Sequence, residues 1–147
     1  MNVIIKLINY PKRLLIKSKF ISKPNLKDRF SIIHKNNYWD NSETVSGPGS
    51  TMKNTVNLRK KLRKIIKKYK IKSIFDAPCG DCNWIKGIIR NSSVKYIGAD
   101  IVDEIIKNNK KKFNYKNTFF YKKDITKNNL PKTDLFICRD FMFHLSF

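Results

Sequence analysis

Acidic residues are scarce: 11 Asp and Glu stand against 32 Lys and Arg, a formal charge of +21 in 147 residues. Cysteine is scarcer still. Three cysteines, one of them (Cys138) in an apolar run, cannot build a disulfide framework, so a reduced, cytoplasmic setting is expected. Nor is there a long uninterrupted apolar run. The start, "MNVIIKLINYPKRLLIKSKF", is too short and too charged to span a bilayer, and no small-residue cleavage site follows it as it would a signal peptide. Its Ile4, Ile5 and Ile8, then Leu14, Leu15 and Ile16, with Lys and Arg between, suit a short amphipathic surface helix that packs on the domain or touches a membrane surface. No internal repeat is visible.

What is present suits one globular domain. The chain is 41% hydrophobic and 29% charged, enough to bury a core. An excess of base normally points to nucleic acid or another acidic partner. Here most of it is Lys travelling with Asn and Ile, as in "IIKNNKKKFNYKN", a drift that needs no partner and leaves solvated faces.

Up to Asp40 no long periodic pattern emerges, and "FISKPNLKDRF" reads as a loop around Pro24 and Asn25. Residues 1–40 are therefore expected to form a basic extension, and 41–147 a domain. "SETVSGPGSTMKNT" places Gly47, Pro48 and Gly49 in a turn whose backbone can approach a ligand closely. In "TVNLRKKLRKIIKKYK", Leu58, Leu62, Ile65, Ile66 and Tyr69 form one helical stripe opposite a lysine face. Four apolar runs of strand length follow, "IKSIFDA", "VKYIGAD", "TFFYKKD" and "TDLFICRD", with "NWIKGIIRN" and "VDEIIKNNKKKF" as helices between them. Such alternation predicts an α/β fold of parallel βαβ units.

The first run leads into Cys79-Gly80-Asp81-Cys82, which invites a redox or zinc reading. A redox CxxC also follows a strand and opens a helix. Zinc wants two more Cys or His at suitable spacing, but only Cys138, His34 and His144 remain, far apart in sequence, and no metal is expected. The neighbours decide the matter. Each apolar run ends at, or just before, an acidic residue: Asp76, Asp100, Asp124 and, after Arg139, Asp140. In an open parallel sheet, ligands bind beyond the carboxyl ends of the strands, and carboxylates there accept from ribose hydroxyls and amines. Asp100 follows Asp81 by 19 residues (100 − 81), near the offset at which an acid meets the ribose in nucleotide-binding folds. The cysteines are then expected to fill space beside a nucleotide-binding turn.

"SIFDAPCGDCNWI", "YIGAD", "FFYKKDIT" and "DLFICRDFMFHLS", with the upstream "SGPGS", resemble in order and spacing the motifs of class I S-adenosylmethionine-dependent methyltransferases, in particular a bacterial and viral branch with a DAPCGD loop followed by NW. The resemblance runs from about Tyr38 to the end. It departs from the general GxGxG loop, having Pro78, Gly80 and Cys82, so only the middle glycine accepts positive φ freely. It implies the cofactor-binding half of a Rossmann-like fold and S-adenosylmethionine as cofactor. By the same resemblance Asp76 meets the cofactor's amino group, directly or through water, and the backbone of Ala77, Pro78, Cys79, Gly80 and Asp81 passes beneath its methionine part. Asp100 takes the ribose hydroxyls, Ile101 lies against adenine, Asp124 and Ile125 meet the adenine edge, and Arg139 stands at the cofactor beyond the fourth strand. Each Asp also suits a helix N-cap after a strand. Trp84 is read as core or as a cofactor flank, and Ser46–Ser50 as a flap or an ordinary turn. His144, four residues after Asp140, shares its face if the segment is helical, and either side chain could be the base for a weakly nucleophilic acceptor.

The branch implies a small-molecule or glycan-type acceptor. The alternatives are a nucleic-acid methyltransferase, in keeping with the charge, and a non-catalytic scaffold that kept the fold. "LFIC" is apolar at every position, as in a strand buried on both faces. A seven-stranded sheet would continue beyond it, so a fragment is expected, or a partner chain that supplies the remaining strands and most of the acceptor site.

Overall fold

The computed structural model describes residues 25–90, 93–127 and 129–145. The apolar and basic segment before Asn25, read above as a surface helix, lies outside the described residues. Four strands, β1 (Ser73–Asp76), β2 (Lys95–Asp100), β3 (Thr118–Lys122) and β4 (Leu135–Ile137), form one parallel sheet of order β3-β2-β1-β4. Ile74 lies beside Tyr96 and Leu135, and Tyr96 beside Thr118, so the registers align all four carboxyl ends on one side. The fold is α/β, with the parallel sheet of a Rossmann-like half.

Side chains alternate across each strand. One face carries Ile74, Tyr96 and Phe120 against Leu62, Trp84, Ile85, Ile88, Ile89 and Ile106 of the helices. These belong to α2 (Val56–Lys68), α3 (Lys86–Arg90) and α4 (Asp103–Lys112) and to the turn before α3. Ile74, Tyr96 and Ile85 are essentially inaccessible, and burying each contributes about 1.5–3 kcal/mol. The other face is smaller: Phe75, Ala77, Ile97 and Ala99, with Ile125 against them. There Phe75 stacks on Phe136 at 5.5 Å.

Three expectations need correction. "FISKPNLKDRF" is not all loop, because α1 (Leu26–Lys35) begins inside it. Asn25 caps that helix, its side-chain oxygen accepting from Asp28 N at 2.9 Å. The stripe of α2 is only partly covered: Leu62 is buried and Ile66 packs on the core, while Leu58 (37%), Ile65 (40%) and Tyr69 (61%) stay accessible. Nor is β4 buried on both faces. Among the described residues it pairs with β1 alone, and Phe136 is 46% accessible.

Candidate functional site

A cavity of about 410 Å3 opens at the carboxyl ends of the four strands. Asp76, Pro78, Cys79, Gly80, Asp100, Ile101, Asp124, Ile125, Arg139, Asp140 and His144 all line it, as do Trp84 and Ser46–Ser50. Of the residues expected at the site, Ala77 and Asp81 are not in its wall. Ala77 is wholly buried, its N–H donating to Ile137 O at 2.9 Å and so extending the β1–β4 pairing.

Asp76 ends β1 almost fully buried and accepts from Tyr96 Oη at 2.6 Å. Burial pushes its carboxyl up to about 7; repulsion from Asp100 adds to this, while the Tyr96 bond and the Arg139 charge oppose it. Asp100 ends β2, and its Oδ2 accepts from Gly80 N (3.1 Å), its Oδ1 from Val102 N (3.0 Å). Burial raises its pKa also, against the backbone N–H groups of Val102, Gly80 and Ile101 and the charge of His34. The Asp100 carboxylate is therefore held in place by the backbone on both sides of it.

Gly80 turns the chain at φ +53°, and a β-carbon there would collide with Ser46 Oγ. Its carbonyl accepts from Asn109 Nδ2 at 2.7 Å, and the same amide lies 3.7 Å from Cys79 Sγ and 3.6 Å from Cys82 Sγ. Both cysteines sit in the core cluster, and burial raises the Cys79 pKa, the opposite of what a reactive thiolate needs. Among the described residues no group of three or more His, Cys, Asp or Glu is placed to hold a metal ion.

Asp124 accepts from Thr126 N (3.0 Å) and Thr126 Oγ1 (2.6 Å), which fixes the turn beyond β3 while its side chain borders the cavity. At the β4 end, Arg139 donates to Gly49 O (2.7 Å) and Ser50 Oγ (3.2 Å), pairs with Asp140 (2.8 Å) and lies over the Trp84 ring at 5.5 Å. Asp140 has φ +53° and is outside any helix; only Met142–His144 form a short 3-10 turn. The same-face argument for Asp140 and His144 therefore fails, although both reach the cavity. Burial lowers the His144 pKa, and Asp140 opposes the shift.

Other wall residues were not anticipated. Leu26, Phe30, Ile33 and His34 of α1 close one side, so the cavity wall crosses the boundary expected at residue 40. Phe30 meets His144 edge-on at 5.6 Å and Phe141 at 6.1 Å, and His34 Nε2 lies 3.6 Å from Glu104. The signal was there: Leu26, Phe30 and Ile33 repeat at helical spacing behind an Asn cap with Asp three residues on.

Carboxylates in strand order, a glycine turn and apolar walls thus meet at the carboxyl ends of an open parallel sheet, where folds of this kind place their ligands. No family model and no curated protein matches the chain. Among solved structures it is similar to a dimethyladenosine transferase from Plasmodium falciparum, at 30% identity over 52% of this chain and 30% of that one, with a TM-score of 0.42. The chain thus spans less than a third of that protein's length.

Proposed function

We propose that the chain is the cofactor-binding half of an S-adenosylmethionine-dependent methyltransferase. One observation carries the reading: in a protein of charge +21, four carboxylates, Asp76, Asp100, Asp124 and Asp140, line a single cavity at the strand ends. Such a wall favours a cationic ligand with hydroxyl and amine donors. The fit is good, since about 410 Å3 suits a nucleoside-sized ligand. When bound, S-adenosylmethionine supplies a methyl on a positively charged sulfur.

The chain's own residues then divide the work. Asp100 holds the ribose hydroxyls, Asp124 and Ile125 the adenine edge, Ile101 the ring face, and Asp76 the amino group. Methyl transfer is an in-line displacement in which positioning provides much of the rate. His144, with its lowered pKa, or Asp140 takes the acceptor's proton where the acceptor is a hydroxyl. A small-molecule or glycan-type acceptor is proposed; a nucleic-acid acceptor is the second reading, favoured by the charge, and it predicts steeply salt-dependent RNA binding. A third, a scaffold without chemistry, predicts no methylation of any acceptor. Among the described residues β4 has one unpaired edge, and with the half-exposed Phe136 it suits a partner chain that adds to the sheet. No described helix is long and apolar enough to cross a membrane, and a cytoplasmic site of action is proposed.

Calorimetric titration with S-adenosylmethionine tests the reading. Saturable binding, weakened roughly 100-fold in Asp100→Ala by the loss of two charge-assisted hydrogen bonds, is the expected result. No binding by the folded chain would refute it.

A further inference from the structure

Asp81 stands in the glycine loop yet outside the cavity wall, and its carboxylate faces backward. Oδ1 accepts from Thr44 Oγ1 (2.8 Å), Ser46 Oγ (3.0 Å) and Asn83 N (3.3 Å), and Oδ2 from Val45 N (3.2 Å). Three of these four donors lie 35–37 residues upstream, on the strap that runs to Ser50. The bond is returned, since Asp81 N donates to Ser46 Oγ at 3.2 Å. At its far end the strap is fastened by Arg139 on Gly49 O and Ser50 Oγ, and by Asn83 Nδ2 on Ser50 O at 3.1 Å.

The strap covers one end of the cavity only. Strand order β3-β2-β1-β4 puts Asp124 at one end and Arg139 and Asp140 at the other, with Asp100 and Gly80, joined at 3.1 Å, between them. The strap meets the β1–β4 side: Ser46 presses on Gly80, and Gly49 lies against Arg139 and Asp140. On the S-adenosylmethionine reading, with adenosine at Asp124 and Asp100, the 5′ substituent is assigned to the remaining part of the cavity, under the strap.

We propose that Asp81 is a positioning residue: by fastening the Thr44–Ser46 strap to the glycine loop it shapes the part of the cavity that receives the amino-acid tail of the cofactor, and it leaves the adenosine part untouched. This rests on the S-adenosylmethionine reading and adds a division of labour within the site. A carboxylate suits the task because it takes four donors at once, whereas an amide turns one oxygen into a donor that faces Val45 N–H.

The test compares two ligands that differ only beyond the 5′ sulfur: S-adenosylhomocysteine, which has the tail, and 5′-methylthioadenosine, which lacks it. Binding is read by calorimetry and by fluorescence of Trp39 and Trp84, which both line the cavity, Trp39 against Gly47. Asp81→Asn is expected to weaken S-adenosylhomocysteine about tenfold and methylthioadenosine less than twofold. Thr44→Val, which removes one Asp81 donor and the hydroxyl that accepts from Ser46 N at 3.1 Å, should act in the same direction and more weakly. If Asp81→Asn does not fold, the Thr44→Val ratio decides. Equal weakening of both ligands, or of neither, overturns the proposal. Failure of both ligands to bind the wild-type chain would instead refute the cofactor reading, so the two failures are distinguishable.

Discussion

Replacing Asp76 by Asn should make the protein more stable, and more so the higher the pH. Burial holds the folded-state carboxyl at about 7 against an ordinary 3.8, a gap of about three pKa units. The native state therefore keeps a proton between about pH 4 and 7 that the unfolded chain has released, so stability falls as pH rises through that window. At 1.36 kcal/mol per unit the loss reaches about 4 kcal/mol above pH 7. Asn carries no charge, and its carbonyl oxygen still accepts from Tyr96 Oη, so the variant escapes the loss. Urea unfolding at pH 4.5 and pH 8 is the assay. The expected gain for Asp76→Asn is about 1 kcal/mol at the lower pH and approaches about 4 kcal/mol at the higher. Equal effects at the two pH values would show that the wild-type carboxyl ionises as freely in the folded chain as in the unfolded one, and would refute the reasoning. The gain is expected to come with weaker cofactor binding, as at other sites that hold a costly charge for a ligand.

The same proton links binding to pH: affinity for S-adenosylmethionine should fall roughly tenfold from pH 8 to pH 6 as Asp76 protonates, measured by calorimetry, and a flat profile would mean the ligand does not feel this carboxylate. Gly80→Ala combines positive φ with a collision on Ser46 Oγ and should cost at least about 2 kcal/mol in denaturant unfolding, whereas a loss below about 0.5 kcal/mol would show that the loop relaxes freely. Once an acceptor is in hand, His144→Ala should lower turnover by about 100-fold or more while cofactor affinity stays within about threefold; unchanged turnover would remove it as the base.

The central strands β1 and β2 were legible because strands buried on both faces write themselves as unbroken apolar runs, and the edge strands β3 and β4 because short apolar runs recur at βαβ spacing. Their terminal acids were legible because each run ends where the chain leaves the sheet. α1 was hidden by the weight given to Pro24 and Asn25, although Asn25 is the helix's own cap. The half-exposed stripe of α2 shows a different limit, since periodicity marks which face a helix offers but not how much of it a neighbour covers. The Asp81 backbone was expected beneath the cofactor, but the task of its side chain was not legible, because three of its four donors lie 35–37 residues upstream and no local pattern encodes which distant groups a loop closure brings to a carboxylate.

The scarcity of acid is what made the site readable. Of the 11 acidic residues, Asp76, Asp100, Asp124 and Asp140 line the cavity, while Asp81 and Glu43 fasten the strap beside it, the latter through Met52 N and Asn83. Four of the other five hold backbone ends: Asp28, Asp103 and Glu104 stand in the first turns of helices, where the dipole favours negative charge, and Asp134 accepts from Lys72 N and Ser73 N at the start of β1. In a chain where lysine is nearly everywhere, a lysine carries little information about position. Nearly every acid kept against that background has a structural task or lines the cavity, and the four that recur after successive strands are those that share it.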